Sequence, residues 1–379
     1  MAADHDTTAL IIGGGIAGLT AAVALRQYGI DSRVFEQADD LRKTQVGSGL
    51  SLGYNVTRAF KHLDLLDELT GPAASITGLE FTTNKGRHVG TARALELALG
   101  ILRPALHGVL ANSVGTDEVQ VGTKLVRFEQ DEGGVTAHFA DGRTARGDVL
   151  IGADGLQSTV RKQLLGDSEP RYRGYCTRRG ILQTELAKDG PEYVFLGIGE
   201  RFVFYPVGQG YLYWTAATNE PPGGKEDGAE IKRTVLERFQ GWPDPIESLV
   251  QATDESNTFL SDTQDRDPVE RWGEGRVTLL GDAAHPMTWD RGQGASQGIE
   301  GAVLLAKQLA QGDDPAAALR AWEAERIPRT KKMVRSSRAI GRLQQSKNPL
   351  LRVIHHQAIR IETKPSLFRK ANKNLLVEY

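Results

Sequence analysis

Glycines at 13, 15 and 18 followed by an acid at 36 are the first residues in this chain whose spacing could do chemistry. In the run Gly13-Gly14-Gly15-Ile16-Ala17-Gly18, Gly13 permits a tight turn and Gly15 lets backbone approach a pyrophosphate. Gly18 lets a helix lie close to a strand, and Ala17 belongs to the same small-residue set. Glu36 can accept hydrogen bonds from ribose hydroxyls and would repel a 2′-phosphate, which points to FAD or NAD rather than NADP. Two more acids stand beside glycine, in Asp154-Gly155 and Gly281-Asp282. Gly292, Gly294 and Ala295 open a further helix, whose free N–H groups and positive end suit an electron-rich partner. Gly49 allows another close backbone approach; the preceding pair Arg42-Lys43 could reach a phosphate, or the segment is a solvated loop. Arg103 stands near the start of a helical pattern, where its charge can point at a cofactor. His285 is expected to be structural in its turn.

These residues need particular elements beneath them. Ala9 to Gly13 reads as a short apolar strand, Leu19 to Tyr28 as a helix and Ser32 to Glu36 as a second strand, the order that dinucleotide binding requires. Asp148 to Arg161 (DVLIGADGLQSTVR) repeats the logic, with an apolar strand, an acidic turn and a helix capped around Ser158. Val277 to Glu300 does so again, as strand, acidic turn, loop with Pro286 and glycine-rich helix entry. Ile101 to Leu110 has helical spacing. Val119 to Val121, Val126 to Glu129 and Gly134 to Phe139 alternate as strands, with a hairpin turn at Asp141-Gly142. From Tyr172 to Asn219 aromatic-rich alternation predicts an antiparallel sheet with one buried face. Its residues Arg201, Phe202, Phe204, Tyr213 and Trp214, together with Trp289, are candidates for a substrate pocket, half of the sheet aromatics facing elsewhere by alternation. Arg201 could orient an acidic substrate or be an exposed strand-end arginine.

At 379 residues the chain can bury an ample core, and its net charge of -2 gives no reason to expect nucleic acid. The single cysteine, Cys176, excludes an intrachain disulfide or a cysteine-based zinc site and is expected to be a buried, inert thiol. No metal site is expected. The N-terminus lacks the pattern of a signal peptide, and no apolar run is long enough to span a membrane, so a cytoplasmic location is expected. From Arg326 to Lys373 fourteen lysines and arginines face one acid, Glu362. That suggests a solvated helical face balancing an acidic body; contact with an anionic membrane surface or an acidic partner is the alternative.

The combination of GGGIAG with Glu36, the helix near Arg103, DVLIGADGLQSTVR and LLGDAAHPMTWDRGQGASQGIEGAVLLA resembles the class A flavoprotein monooxygenases typified by para-hydroxybenzoate hydroxylase, to about Arg329. The resemblance implies an α/β fold: a Rossmann-like FAD-binding domain of the glutathione reductase type, with an inserted antiparallel-sheet substrate domain and a helical C-terminus. The corresponding segments would be 1–170, 171–272, 273–325 and a basic helical region, 326–379. By resemblance Glu36 would bind ribose, Arg103 would lie along the cofactor, Asp282 would hold the ribityl hydroxyls, and Asp154 would serve the pyrophosphate side and nicotinamide use. Gly292, Gly294 and Ala295 would line the pyrimidine edge of the ring. Lys43 and Gly49 complete the expected cofactor set. The implied reaction is hydroxylation or epoxidation of a small aromatic or polyketide-like molecule, with NADPH or NADH as reductant and O2 activated as a flavin C4a-hydroperoxide. No catalytic side chain is required, because the flavin is the reactive centre. The family usually has proline where Trp289 stands and an uncharged residue at Arg291. That departure leaves open an FAD-dependent cyclase or isomerase of natural-product biosynthesis without net oxidation, and a non-catalytic flavin-binding partner protein.

Overall fold

The computed structural model describes residues 8–41, 48–115, 118–373 and 379. Its nucleotide-type layer is a five-stranded sheet whose spatial order is Val277–Leu279, Val149–Gly152, Thr8–Ile12, Asp31–Phe35 and Val119–Gln120, every neighbouring pair parallel. Parallel strands covered on both faces carry continuous apolar runs. Ala9 to Ile12, Val149 to Ile151 and Val277 to Leu279 are all buried, as that geometry demands.

Helix Ile16–Gln27 is buried along nearly its whole length, because helix Gly294–Gln311 lies against it. Small side chains make that approach possible. A Cβ on Gly298 would meet the Ala17 Cβ at 3.3 Å, and one on Gly281 would meet it at 2.8 Å. A Cβ on Gly18 would overlap the Gly13 carbonyl oxygen, which explains the glycine there. Helix Arg103–Val114 begins with Pro104 in its first turn and follows strand Leu99–Leu102. Ile101 and Leu102 are therefore the end of a strand, not the start of the helix.

The second layer is a nine-stranded sheet, and it is mixed rather than wholly antiparallel. Strand Gly190–Leu196 pairs in parallel with Ala74–Thr83, whereas its other neighbour, Glu200–Pro206, is antiparallel. The sheet also recruits Gly49–Leu52, Ala74–Thr83, His88–Arg93 and Leu99–Leu102, so the segments expected as 1–170 and 171–272 share it. One face rests on helices Gly228–Arg238 and Ile246–Ala252, around Phe202, Phe204 and Trp214. A three-stranded antiparallel sheet, Leu125–Asp131, Gly134–Phe139 and Thr144–Gly147, lies beside the parallel layer.

The long helix Pro315–Gln344 is N-capped by Asp314 and contains Pro328. Helix Pro349–Glu362, capped by the Asn348 side chain on the N–H groups of Leu350 and Leu351, and helix Pro365–Lys373 complete the helical end. Among the described residues no helix is long and apolar enough to cross a membrane. Cys176 is a free, buried thiol whose pKa burial pushes up to about 11.

Candidate active site

Register decides where the site lies. Ile12 is paired with both Phe35 and Gly152, and Gly152 with Leu279, so four parallel strands end level with one another. The residues just past those ends are Gly13, Glu36, Asp154 and Asp282, which the sequence separates by more than two hundred positions. Ligands of open α/β sheets bind at this carboxyl edge.

At the Gly13 turn φ is +110°, and a Cβ would be driven into the Ala153 backbone. Gly15 has no atom within 4 Å of where a Cβ would stand, which leaves a cradle open at the helix start. Glu36 accepts from the N–H groups of Gly14 and Ala38, each at 2.8 Å and each to a different carboxylate oxygen. Each oxygen retains a second lone pair for a ribose hydroxyl. Buried His107, which sequence reasoning did not single out, lies 2.7 Å through Nε2 from the Gly14 carbonyl and fixes the same loop.

Asp154 stands two residues past the end of strand Val149–Gly152. Its carboxylate accepts from the Thr159 and Val160 N–H groups, at 2.7 and 3.2 Å, and from Ser158 Oγ at 2.5 Å. It thus fastens the start of helix Thr159–Leu165, while the neighbouring Ala153 and Gly155 form the cavity wall. Arg161 on that helix donates to the carbonyls of Ala283 and Ala284, at 2.9 and 3.2 Å, tying this motif to the Asp282 loop.

The Asp282 carboxylate is open to the cavity yet enclosed by protein around it. Desolvation raises its pKa, and the Arg103 charge acts in the opposite direction. Helices Ile16–Gln27 and Gly294–Gln311 both start without a side-chain cap or an acid in the first turn. Their N-terminal dipoles therefore remain available to an anionic or electron-rich group. Gly292 is left-handed, with φ +61°, and turns the chain into the second of these helices. FAD fits this arrangement: an open glycine cradle for the pyrophosphate, a ribose acceptor, a cavity-facing acid and an uncapped helix end at the far side.

A cavity of about 1040 Å³ runs from Gly15 and Asp282 to the large sheet; Gly13, Gly18, Glu36 and Asp154 are not among the residues that line it. Gly15, Ala17, Gly49, Arg103, Asp282, Gly292, Gly294 and Ala295 are on its wall, as are Arg201, Tyr213 and Trp289. Lys43 lies outside the described residues. Phe202, Phe204 and Trp214 do not reach the cavity, which corrects their expected place in the pocket. Strand alternation turns them to the opposite face, where Phe202 stacks on Trp214 and Phe204 on Tyr193. The cavity face of the same strands carries Arg201, Val203 and Tyr205, and Tyr213 with Thr215 beside them. Period-two counting from Arg201 already contained that answer. Gly49 is glycine because a Cβ there would strike the Tyr213 ring at 2.5 Å.

Arg201 is neither exposed nor free. Its guanidinium lies 3.9 Å above the Trp289 ring and pairs with Asp290 Oδ1 at 2.8 Å, and both partners of that ion pair are buried. Tyr175 donates to Asp290 Oδ2 at 2.5 Å. Gly341 on the long helix leaves room for this contact, since a Cβ there would stand 2.6 Å from the Asp290 carboxylate. Arg291 donates to Ser336 Oγ at 3.0 Å, and Ser337 Oγ donates to the Thr288 carbonyl at 2.6 Å, so the Trp289 loop is fastened to that helix. Glu192, Arg179 and His355, none singled out from sequence, also line the cavity. Desolvation raises the Glu192 pKa, and it lowers that of His355 to about 4.

The sequence model of a family described as "FAD binding domain" matches residues 6–337. The chain is 36% identical over 376 residues to an aurachin C monooxygenase/isomerase from Stigmatella aurantiaca, with 97% of each chain covered. It is 34% identical over 366 residues to an FAD-dependent urate hydroxylase from Klebsiella pneumoniae, covering 94% of this chain and 95% of that one. The crystal structure of Klebsiella pneumoniae HpxO complexed with FAD and uric acid superposes with a TM-score of 0.91 at 31% identity, covering 99% of this chain and 98% of that one.

Proposed function

The chain belongs to the FAD-dependent class A monooxygenases, and from that premise we propose that it uses NADPH or NADH and O2 to hydroxylate or epoxidise a small aromatic or polyketide-like molecule. The observation that carries this reading is the continuity of the cavity. One space joins the glycine cradle at Gly15 to the wall formed by Arg201, Tyr205, Tyr213 and Trp289. Its volume is at the upper end of, or above, the roughly 300–1,000 Å³ usual for a single small ligand, leaving room for a cofactor and a substrate.

Bound FAD supplies the redox chemistry, taking reducing equivalents from a nicotinamide and activating O2. The chain's own residues bind, orient and exclude water. Gly13, Gly15, Ala17, Gly18 and Glu36 hold the adenosine and pyrophosphate end. Arg103 and Asp282 hold the middle of the cofactor, and Gly292 to Ala295 present a helix N-terminus that stabilises negative charge on the reduced ring. Asp154 acts by fastening the turn that carries Gly155. On the substrate side Arg201 is held in place by Asp290 and the Trp289 indole, so its charge is preorganised rather than mobile. The aromatic rings of Tyr205 and Tyr213, their centroids 5.3 Å apart and inclined at 56°, offer an angled apolar wall with hydroxyl groups for orientation.

The test is substrate-stimulated consumption of nicotinamide and oxygen by the purified yellow protein. Candidate aromatic substrates are expected to raise the oxidation rate of NADPH or NADH at least tenfold, with oxygen consumed in step. Rearrangement of the substrate without net oxidation is the second reading, favoured by the name of the Stigmatella relative and by the fixed cation at Arg201. Anaerobic turnover with no nicotinamide present would establish that reading and overturn oxygenation.

A further inference from the structure

Helix Pro349–Glu362 wears its amphipathic pattern inside out. His355 and Ile359 are buried against the body, as expected of a docked helix. The opposite face, however, is formed by Leu350, Val353, Ile354, Gln357 and Ile361, spaced three and four residues apart along one stripe. The four apolar members are 67%, 57%, 51% and 50% exposed. Of the twelve large hydrophobic side chains exposed among the described residues, six fall between 350 and 367. Scattered apolar residues need no explanation on a protein surface, but a contiguous stripe does.

Charge narrows what could cover it. Lys347, Lys364 and Arg369 are exposed around the stripe, with Arg360 half-buried beside it. Glu362 is the single acid between Arg326 and Lys373. A second copy of the chain meeting this face symmetrically would bring like charges together, which is costly at an interface. An apolar stripe on a helix bordered by basic side chains is the pattern that lies in the interface of an anionic lipid surface.

The position of the cavity adds an independent observation. His355, Ala358, Ile359, Glu362 and Thr363 line it from the inner side of the same helix and its C-terminus, and Leu367 and Phe368 line it from the next. Glu362 and Leu367 are exposed as well, as is Leu95 of the same lining, so the cavity reaches the surface beside the stripe.

We propose that the exposed stripe of helix Pro349–Glu362, with its basic border, docks this protein on an anionic membrane surface and sets the cavity mouth against the lipid. The use of that mouth for a lipid-dissolved substrate rests on the monooxygenase reading above; the docking itself does not.

The experiment is sedimentation of the FAD-loaded full chain with vesicles of phosphatidylglycerol and phosphatidylcholine, and with phosphatidylcholine alone. Binding to the anionic vesicles is expected, weakening with salt and with removal of phosphatidylglycerol. The double variant Leu350→Glu/Ile354→Glu is expected to bind at least about tenfold more weakly. Its flavin content and melting temperature should match wild type, because both side chains are largely in solvent. Wild type remaining in the supernatant, or a double variant that binds as well as wild type, would overturn the proposal. So would a solution dimer that the double variant dissociates, since a second copy would then be the cover. Vesicle binding is read without substrate or nicotinamide, and substrate-stimulated oxidation is read without vesicles, so failure of either reading is visible on its own.

Discussion

Asp282 is the residue on which cofactor retention should turn most sharply. It lines the cavity just past the end of a buried strand, and desolvation raises its pKa, so a ligand donating to its carboxylate would favour the charged form. Asp282→Ala is expected to weaken FAD binding roughly 10- to 100-fold, the size of losing hydrogen bonds to a charged group. Flavin absorbance after gel filtration measures it, and undiminished occupancy would contradict the assignment. Asp154 shows why an acid beside a glycine is ambiguous in a sequence. Ser158 was legible as a helix cap, but not that Asp154 would spend its carboxylate on the same helix start. Asp290 was not legible at all, because its partners Tyr175 and Arg201 come from two distant strands.

Among the elements, helix Gly294–Gln311 has the most consequential anchoring. Glu300, fully buried on it, is paired with Arg326 and with Arg329 Nε at 2.7 Å, both on the long helix, and accepts from Asn55 Nδ2 at 3.3 Å. This network holds the helix whose N-terminus, at Gly294 and Ala295, lines the cavity. Glu300→Gln leaves the buried Arg326 guanidinium without its counter-charge and is expected to cost about 3–5 kcal/mol of stability. The prediction is a lower melting temperature with reduced flavin occupancy; an unaltered melt would show that the network is not what holds the helix. Strand alternation operates at this scale too. It decides that Arg201 and Tyr205 face the cavity while Phe202 and Phe204 face helices Gly228–Arg238 and Ile246–Ala252, and a shift of one residue would exchange the two sets.

For the whole molecule, buried histidines set part of the acid stability. His285 is enclosed beside Trp272, its ring centroid 5.4 Å from that indole, and desolvation lowers its pKa to about 3, with the Arg326 charge adding to the effect. Because the folded value lies below the ordinary one of 6.5, the unfolded chain takes up a proton that the folded chain refuses. The neutral ring's contribution is therefore complete above the ordinary pKa and is lost as pH falls toward about 3. His355 has the same sign. Asp154, Asp282 and Glu192, whose pKa values burial raises, act in the opposite sense. The comparison that isolates the effect is wild type against His285→Asn: urea unfolding midpoints should fall less steeply for the variant between neutral pH and about pH 5. Parallel slopes would mean that His285 is not the titrating group.

The sequence by itself determined the cofactor class and the local devices that serve it. Glycine spacing, apolar strands ending in acids and the order of strand, turn and helix are written within short windows, because sterics and hydrogen bonding act on near neighbours. Only the tertiary structure decided which windows meet. Parallel pairing in one register brings Gly13, Glu36, Asp154 and Asp282 to the same edge. The large sheet gathers strands from before and after residue 170 to close the cavity. The reason is physical: burial of a shared core and backbone pairing across the chain select partners by shape and register, which no local pattern of residues specifies.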